Sequence, residues 1–125
     1  MRSFISVGAI LVCGFALTAC ATGSVTALDP GYTALSQGDY AKARDVFAPA
    51  LANSPNDPYL QLDLGYAYQG LGQMNLAAPL YRQALVDGQG VLPTVTTNSA
   101  DAGHDLASIA CQNLKAGGMQ ASPGC

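Results

Sequence analysis

The alternation of apolar and polar residues changes character four times along the chain. Phe4 to Leu17 is an almost unbroken run of apolar and small residues behind Met1-Arg2. From Pro58 to Leu71 the apolar positions acquire a helical period. With Leu64 as zero and about 100° per residue, Leu60, Leu64, Ala67, Tyr68 and Leu71 fall within roughly 60° of one direction, which predicts a helix with one buried stripe. Gly72-Gln73 turns the chain into Met74 to Val86, where Ala77, Leu80, Tyr81, Ala84 and Leu85 form a complementary face; two antiparallel helices are predicted. Gly88 to Thr97 loses the period and reads as an irregular linker. Leu106, Ile109, Ala110 and Leu114 restore it between Asp105 and Lys115, predicting a last helix with Asp101 and Asp105 as its candidate caps.

Local punctuation supports these boundaries. Asp29-Pro30 and Asp57-Pro58 are helix starts: the carboxylate caps free N–H groups, and proline occupies the first turn, where its missing donor has no partner to lose. Pro79 falls inside the second helix of the pair and removes one hydrogen bond, tolerable near a first turn; a start moved to Leu76 or Ala77 would accommodate it equally. The sequence also matches itself at a spacing of 34 residues. Gly31 meets Gly65, Tyr32 meets Tyr66, Gly38 meets Gly72, Ala43 meets Ala77, Phe47 meets Tyr81, Ala50 meets Ala84 and Leu51 meets Leu85. Small meets small and large meets large, the mark of a repeated packing unit.

The residues in register resemble the tetratricopeptide repeat. In the second copy Leu64-Gly65, Tyr68, Ala77, Tyr81 and Ala84 stand at that family's spacing, with Gln61 where tryptophan is common. In the first, Gly31, Ala43, Phe47, Ala50 and Pro55 match, while Pro30 and Ala34 replace the usual leucine and tyrosine. The resemblance covers about residues 29–88. It implies an all-α fold of antiparallel helical hairpins, about two repeats, closed by a C-terminal cap helix. Solenoids normally need about three repeats to bury their faces, so the cap helix, or a partner or second copy, is needed to complete the core.

The apolar start is a secretory signal rather than a fold element. It is shorter than the roughly 20 residues of a membrane span and ends at Leu17-Thr18-Ala19-Cys20, a tetrapeptide that resembles the lipobox of bacterial lipoproteins. In that family the cysteine sulfur receives a diacylglycerol, the signal is cut before it, and the new amine is acylated, commonly with palmitate. That residue here is Cys20, the alternative being an ordinary cleaved signal with Cys20 as a thiol. Ala21 is not the aspartate that retains such proteins at the inner membrane, which favours the periplasmic face of the outer membrane. The expected organisation is a signal peptide at 1–19, a lipidated tether at 20–28, repeats at 29–88, a linker at 89–104, and the cap helix with its tail at 105–125. Cys13 leaves with the signal, so Cys111 and Cys125 remain as an even pair in an oxidising compartment. A disulfide between them would contribute very roughly 3 kcal/mol through loop closure; two free thiols are the alternative.

Charge narrows the function. Without Arg2 the bases are Lys42, Arg44, Arg82 and Lys115, against eight acids that are all aspartate. No basic patch exists to hold nucleic acid. The chain has one histidine, His104, and no glutamate, which leaves little for general acid–base work and argues against an enzyme. His104, Cys111 and Cys125 lack the paired spacing of zinc sites, so neither a metal nor any cofactor beyond the covalent lipid is expected. Opposite the buried stripe, Tyr59, Leu62, Tyr66 and Gln69 fall between about 140° and 220° on the same wheel. Tyr32 lies one period before Tyr66, and Asp63 rims the same face. In tetratricopeptide proteins this face lines a concave peptide-binding groove, and tyrosine suits interfaces; the same tyrosines could instead cover neighbouring helices. The family's basic clamp for a peptide carboxylate is absent, since no lysine or arginine lies between Arg44 and Arg82. Together these features predict an adaptor that binds a periplasmic or outer-membrane protein in pilus assembly, secretion or envelope biogenesis. A structural lipoprotein that self-associates as a homodimer through the tyrosine face is the alternative.

Overall fold

A computed structural model describes residues 28–94, 101–121 and 123–125. The expected signal peptide, the lipidation site at Cys20, the tether up to Ala27 and residues 95–100 of the linker lie outside them. Among the described residues the regular elements are five helices and no strand: α1 (Asp29–Ser36), α2 (Tyr40–Asn53), α3 (Pro58–Gly70), α4 (Met74–Asp87) and α5 (Leu106–Ala116). Each packs on the next, and α5 also touches α3. The expected all-α hairpins and terminal helix are the observed architecture.

The hairpins close because each has a glycine where a large ring must pass. A Cβ on Gly65 would lie 2.8 Å from Tyr81 Cε1, and one on Gly31 would lie 2.7 Å from Phe47 Cζ. Phe47 and Tyr81 are both fully buried. Each glycine thus sets the separation of its pair of helices, and the 34-residue register is a register of ring against missing side chain. The turns repeat as well: Gly38 and Gly72 adopt φ of 74° and 72°, a left-handed conformation that other residues reach only at a cost.

The caps divide. Asp57 accepts from the backbone N–H groups of Tyr59 and Leu60, and Asp105 accepts from Ser108 N–H, so both cap as expected. Asp29 does not: it lies inside the first turn of α1, whose N-cap is Leu28 without a side-chain bond. The wheel and the period both ignore that one-residue difference. Pro79 stays inside α4, which begins at Met74 without the shift considered above. Its ring sits on the exposed side of the helix.

Two apolar clusters form the core. Ala34, Ala43, Phe47, Leu60, Leu64 and Ala67 make the first, across α1, α2 and α3. Ala77, Ala78, Tyr81, Ala84, Ala110 and Leu114 make the second, between α4 and α5, with Leu62 and Met119 against it. Tyr68 borders both. Gln61, fully buried, donates from Nε2 to Pro55 O (2.8 Å) and to Asp87 Oδ2 (2.7 Å), tying the α2–α3 turn to the end of α4. The cap helix is pinned at both ends. At its start Leu106 N–H donates to Val91 O (2.8 Å), Ala107 N–H to Gly88 O (3.3 Å) and Gly90 N–H to Asp105 Oδ2 (2.9 Å). Hydrogen bonds from Ser108 first, and then from Gly90 N–H, hold the Asp105 carboxyl down at about 2. Beyond its end Met119 packs against the α4–α5 cluster, and the expected disulfide joins Cys111, inside α5, to Cys125 in the tail.

Gly65→Ala should destabilise the domain by about 1–3 kcal/mol in urea unfolding followed by circular dichroism, because the Tyr81 ring cannot step aside. Gly38→Ala, with open space around it but a positive φ, should cost only about 1 kcal/mol. Equal costs would mean that backbone conformation, and not ring clearance, is what requires glycine in the hairpins.

Candidate functional site

The leading helices of the two hairpins, α1 and α3, carry all six residues of the expected groove, but the structure uses them unequally. Tyr32 and Tyr66 are 41% and 43% exposed, among the exposed large hydrophobic side chains on the helices. Tyr32 stacks edge-on against Phe47, centroids 5.2 Å apart, so its ring is braced from below while its outer side stays open. Tyr66 meets Tyr40 edge-on at 5.9 Å.

Asp63 of α3 and Tyr32 of α1 influence each other's protonation. Burial pushes the Asp63 carboxyl up to about 7, against the pull of the Tyr32 hydrogen bond, with nearby Asp57 adding repulsion. Tyr32 is pushed well above the usual phenol range by burial and then by the Asp63 charge; Tyr66 is raised by burial and then by Tyr40. Both phenols therefore keep their protons at neutral pH and remain hydrogen-bond donors.

The other three residues are engaged within the chain, which departs from the solvent-facing placement expected of them. Tyr59 is half-buried and its hydroxyl donates to Leu92 O (2.6 Å), fastening the linker to the head of α3. Leu62 packs against the α4–α5 cluster, because α5 returns over that side of α3. Gln69 accepts the Tyr81 hydroxyl at 2.7 Å, satisfying a buried phenol. A helical wheel identifies which side of α3 faces away from α4, but cannot tell that a later helix covers part of that side.

Tyr40 was missed. It stands outside the 34-residue match, at the start of α2, and its ring lies where a Cβ on Gly70 would be. Gly70, a glycine inside the last turn of a helix, was the available signal. Cations are as informative by position. Among the described residues Lys42 and Arg44 lie on α2, Arg82 on α4 and Lys115 on α5. Arg44 pairs with Asp45, Arg82 reaches Gln120 O and Lys115 reaches Cys125 O. None lies on α1 or α3. Among the same residues no cluster of three histidine, cysteine or acidic side chains could hold a metal, and no helix is long and apolar enough to cross a membrane.

Residues 34–91 match the tetratricopeptide repeat family. The match begins inside α1 and runs past α4, taking in the second hairpin whole. Such repeats are typically non-catalytic modules for contact with other proteins. No curated protein and no solved structure matches the chain.

The Asp63 carboxyl gives a pH signature. It binds its proton more tightly folded than unfolded, where the ordinary value is 3.8. Its contribution to stability is therefore full below about pH 4 and lost as pH rises through about 7. Asp63→Asn, which mimics the protonated form, should gain stability over the parent between pH 5 and pH 8, by at most about 1.4 kcal/mol for each pH unit. A pH-independent difference in melting temperature between the two would show that Asp63 is ionised throughout.

Proposed function

We propose that this chain is a lipid-anchored adaptor on the periplasmic face of the outer membrane, whose tetratricopeptide repeats dock another envelope protein on the α1–α3 face. One observation carries the docking reading: Tyr32 and Tyr66 stand exposed on the leading helices α1 and α3, although the chain has interior positions for large rings, as Phe47 and Tyr81 demonstrate. Exposed aromatic side chains braced by fixed neighbours lose little entropy on contact and supply large areas, which is why they recur at binding hot spots.

The anchor rests on the sequence. A basic start, an apolar run and Leu17-Thr18-Ala19-Cys20 together support diacylglycerol on the Cys20 sulfur, and Ala21 supports transfer to the outer membrane. About 0.8 kcal/mol per buried methylene makes several acyl chains on one residue an effectively permanent anchor. The Cys111–Cys125 disulfide suits the oxidising side of the inner membrane. A role in assembling pili, secretion machinery or the envelope itself is in keeping with this layout.

Two measurements test the reading. Crosslinking of the full chain in its native envelope should recover a partner that is lost when Tyr32 and Tyr66 are both changed to alanine; recovery of the same proteins from both, or of the chain alone, would refute docking on this face. Cys20→Ser should abolish incorporation of labelled palmitate and move the protein from the membrane fraction to the soluble one. Retained palmitate would place the lipid elsewhere and remove the basis for the anchor.

A further inference from the structure

We infer that the segment after α5 is a redox-sensitive strap: the Cys111–Cys125 bond fastens it across the α4–α5 cluster, and reduction by a dithiol opens it while the helices stay in place.

The strap begins where α5 ends. Gly118, at φ 64°, reverses the chain, and Met119 N–H donates to Leu114 O (2.9 Å). The Met119 side chain packs on the cluster that Ala77, Ala78 and Tyr81 of α4 share with Ala110 and Leu114 of α5. Farther on, Arg82 of α4 donates to Gln120 O (3.3 Å) and Lys115 of α5 donates to Cys125 O (2.7 Å). The bond to Cys111 then returns the segment to the middle of α5. The strap thus holds to both helices of the closing pair and covers part of the core between them.

Little besides the disulfide fastens it. Met119 is the one apolar side chain of its described residues that packs against the cluster. The Arg82 and Lys115 bonds come from long, exposed side chains, which give up rotamer freedom to make them. Gly117, Gly118 and Gly124 regain more backbone freedom on release than other residues would. A covalent tie across a short loop offsets that gain by restricting the open state. The helices do not need the tie: α5 is pinned at its other end by the Leu106, Ala107 and Gly90 bonds, and the hairpins by rings seated against Gly31 and Gly65.

The bond is also within reach of a reductant. Both half-cystines are half-buried and line an open cavity of about 410 Å³ with Ser108, Gln112 and Gly124. A thiolate of the dithiol attacks one sulfur, forming a mixed disulfide and expelling the other cysteine as a thiolate, which takes a proton. The second thiol of the reductant resolves the mixed disulfide. The reductant ends as a disulfide, having given two electrons and two protons, and Cys111 and Cys125 end as thiols.

The test uses the full chain in non-ionic detergent, either left oxidised or treated with dithiothreitol without denaturant and then alkylated. Intact mass reports whether Cys111 and Cys125 are labelled. Each form is digested briefly with trypsin, and cleavage after Lys115 is compared with cleavage after Lys42 and Arg44, all quantified after complete reduction. Dithiothreitol should label both cysteines and speed cleavage after Lys115 about tenfold or more, leaving the α2 sites unchanged. The double variant Cys111→Ser, Cys125→Ser should be cut at the fast rate with or without dithiothreitol. Met119→Ala, which keeps the bond, should be cut at the slow rate until it is reduced. A bond that resists dithiothreitol, or equal cleavage after Lys115 in the two forms, would overturn the inference. So would a rise at all sites together, since the bond would then hold the whole domain, or fast cleavage of oxidised Met119→Ala, since packing would then be the fastening.

Discussion

The clearance between Gly65 and Tyr81, with its counterpart between Gly31 and Phe47, is the constraint on which the domain depends. Each buried ring fills the space that a side chain on the leading helix would have taken, so the two helices of a hairpin sit at a separation fixed by one aromatic thickness. With that distance set, Leu60, Leu64 and Ala67 of α3 reach Ala43 and Phe47 of α2, and the first core becomes continuous across the repeat boundary. The second core uses the other side of the same hairpin, where α5 supplies Ala110 and Leu114 in place of a further repeat. Chains of this size bury a modest fraction of their surface. The terminal helix and its disulfide therefore complete a core that two hairpins alone would leave open.

What the sequence disclosed follows from what is local and periodic. The ring-for-glycine exchange repeats every 34 residues, so Gly31, Phe47, Gly65 and Tyr81 were legible as a packing unit before any contact was seen. Caps at Asp57 and Asp105 were legible because capping is decided within four residues. The fate of Tyr59, Leu62 and Gln69 was not. Each is settled by a residue far along the chain: Leu92, the α5 cluster and Tyr81. Tyr40 escaped for the same reason, since it is the single glycine at position 70 on another helix that gives its ring a place.

The exposed face results from the same division of labour. On α3 the helix surface is shared among α2, α4 and α5, and what stays open is the outer side of Tyr66, with Tyr32 on α1 exposed to a like extent. Its character is set by exclusion as much as by presence. The bases went to helices whose outer sides meet water, where Arg44 and Lys115 find local acceptors, and the aspartates and phenols remained.

The bonds that pin α5 to the end of α4 have a further consequence. Leu106 to Val91, Ala107 to Gly88 and Gly90 to Asp105 bring the two ends of the intervening segment together and fix the approach of α5 independently of what lies between. Between α2 and α3 the connection runs only from Asn53 to Pro58, and a change there would disturb the stacking of the repeats. Between Leu92 and His104 it would not. The entropy of a loop whose ends are already joined grows only with the logarithm of its length. That segment is where descendants of this sequence can lengthen, shorten or exchange residues while the helical array stays intact.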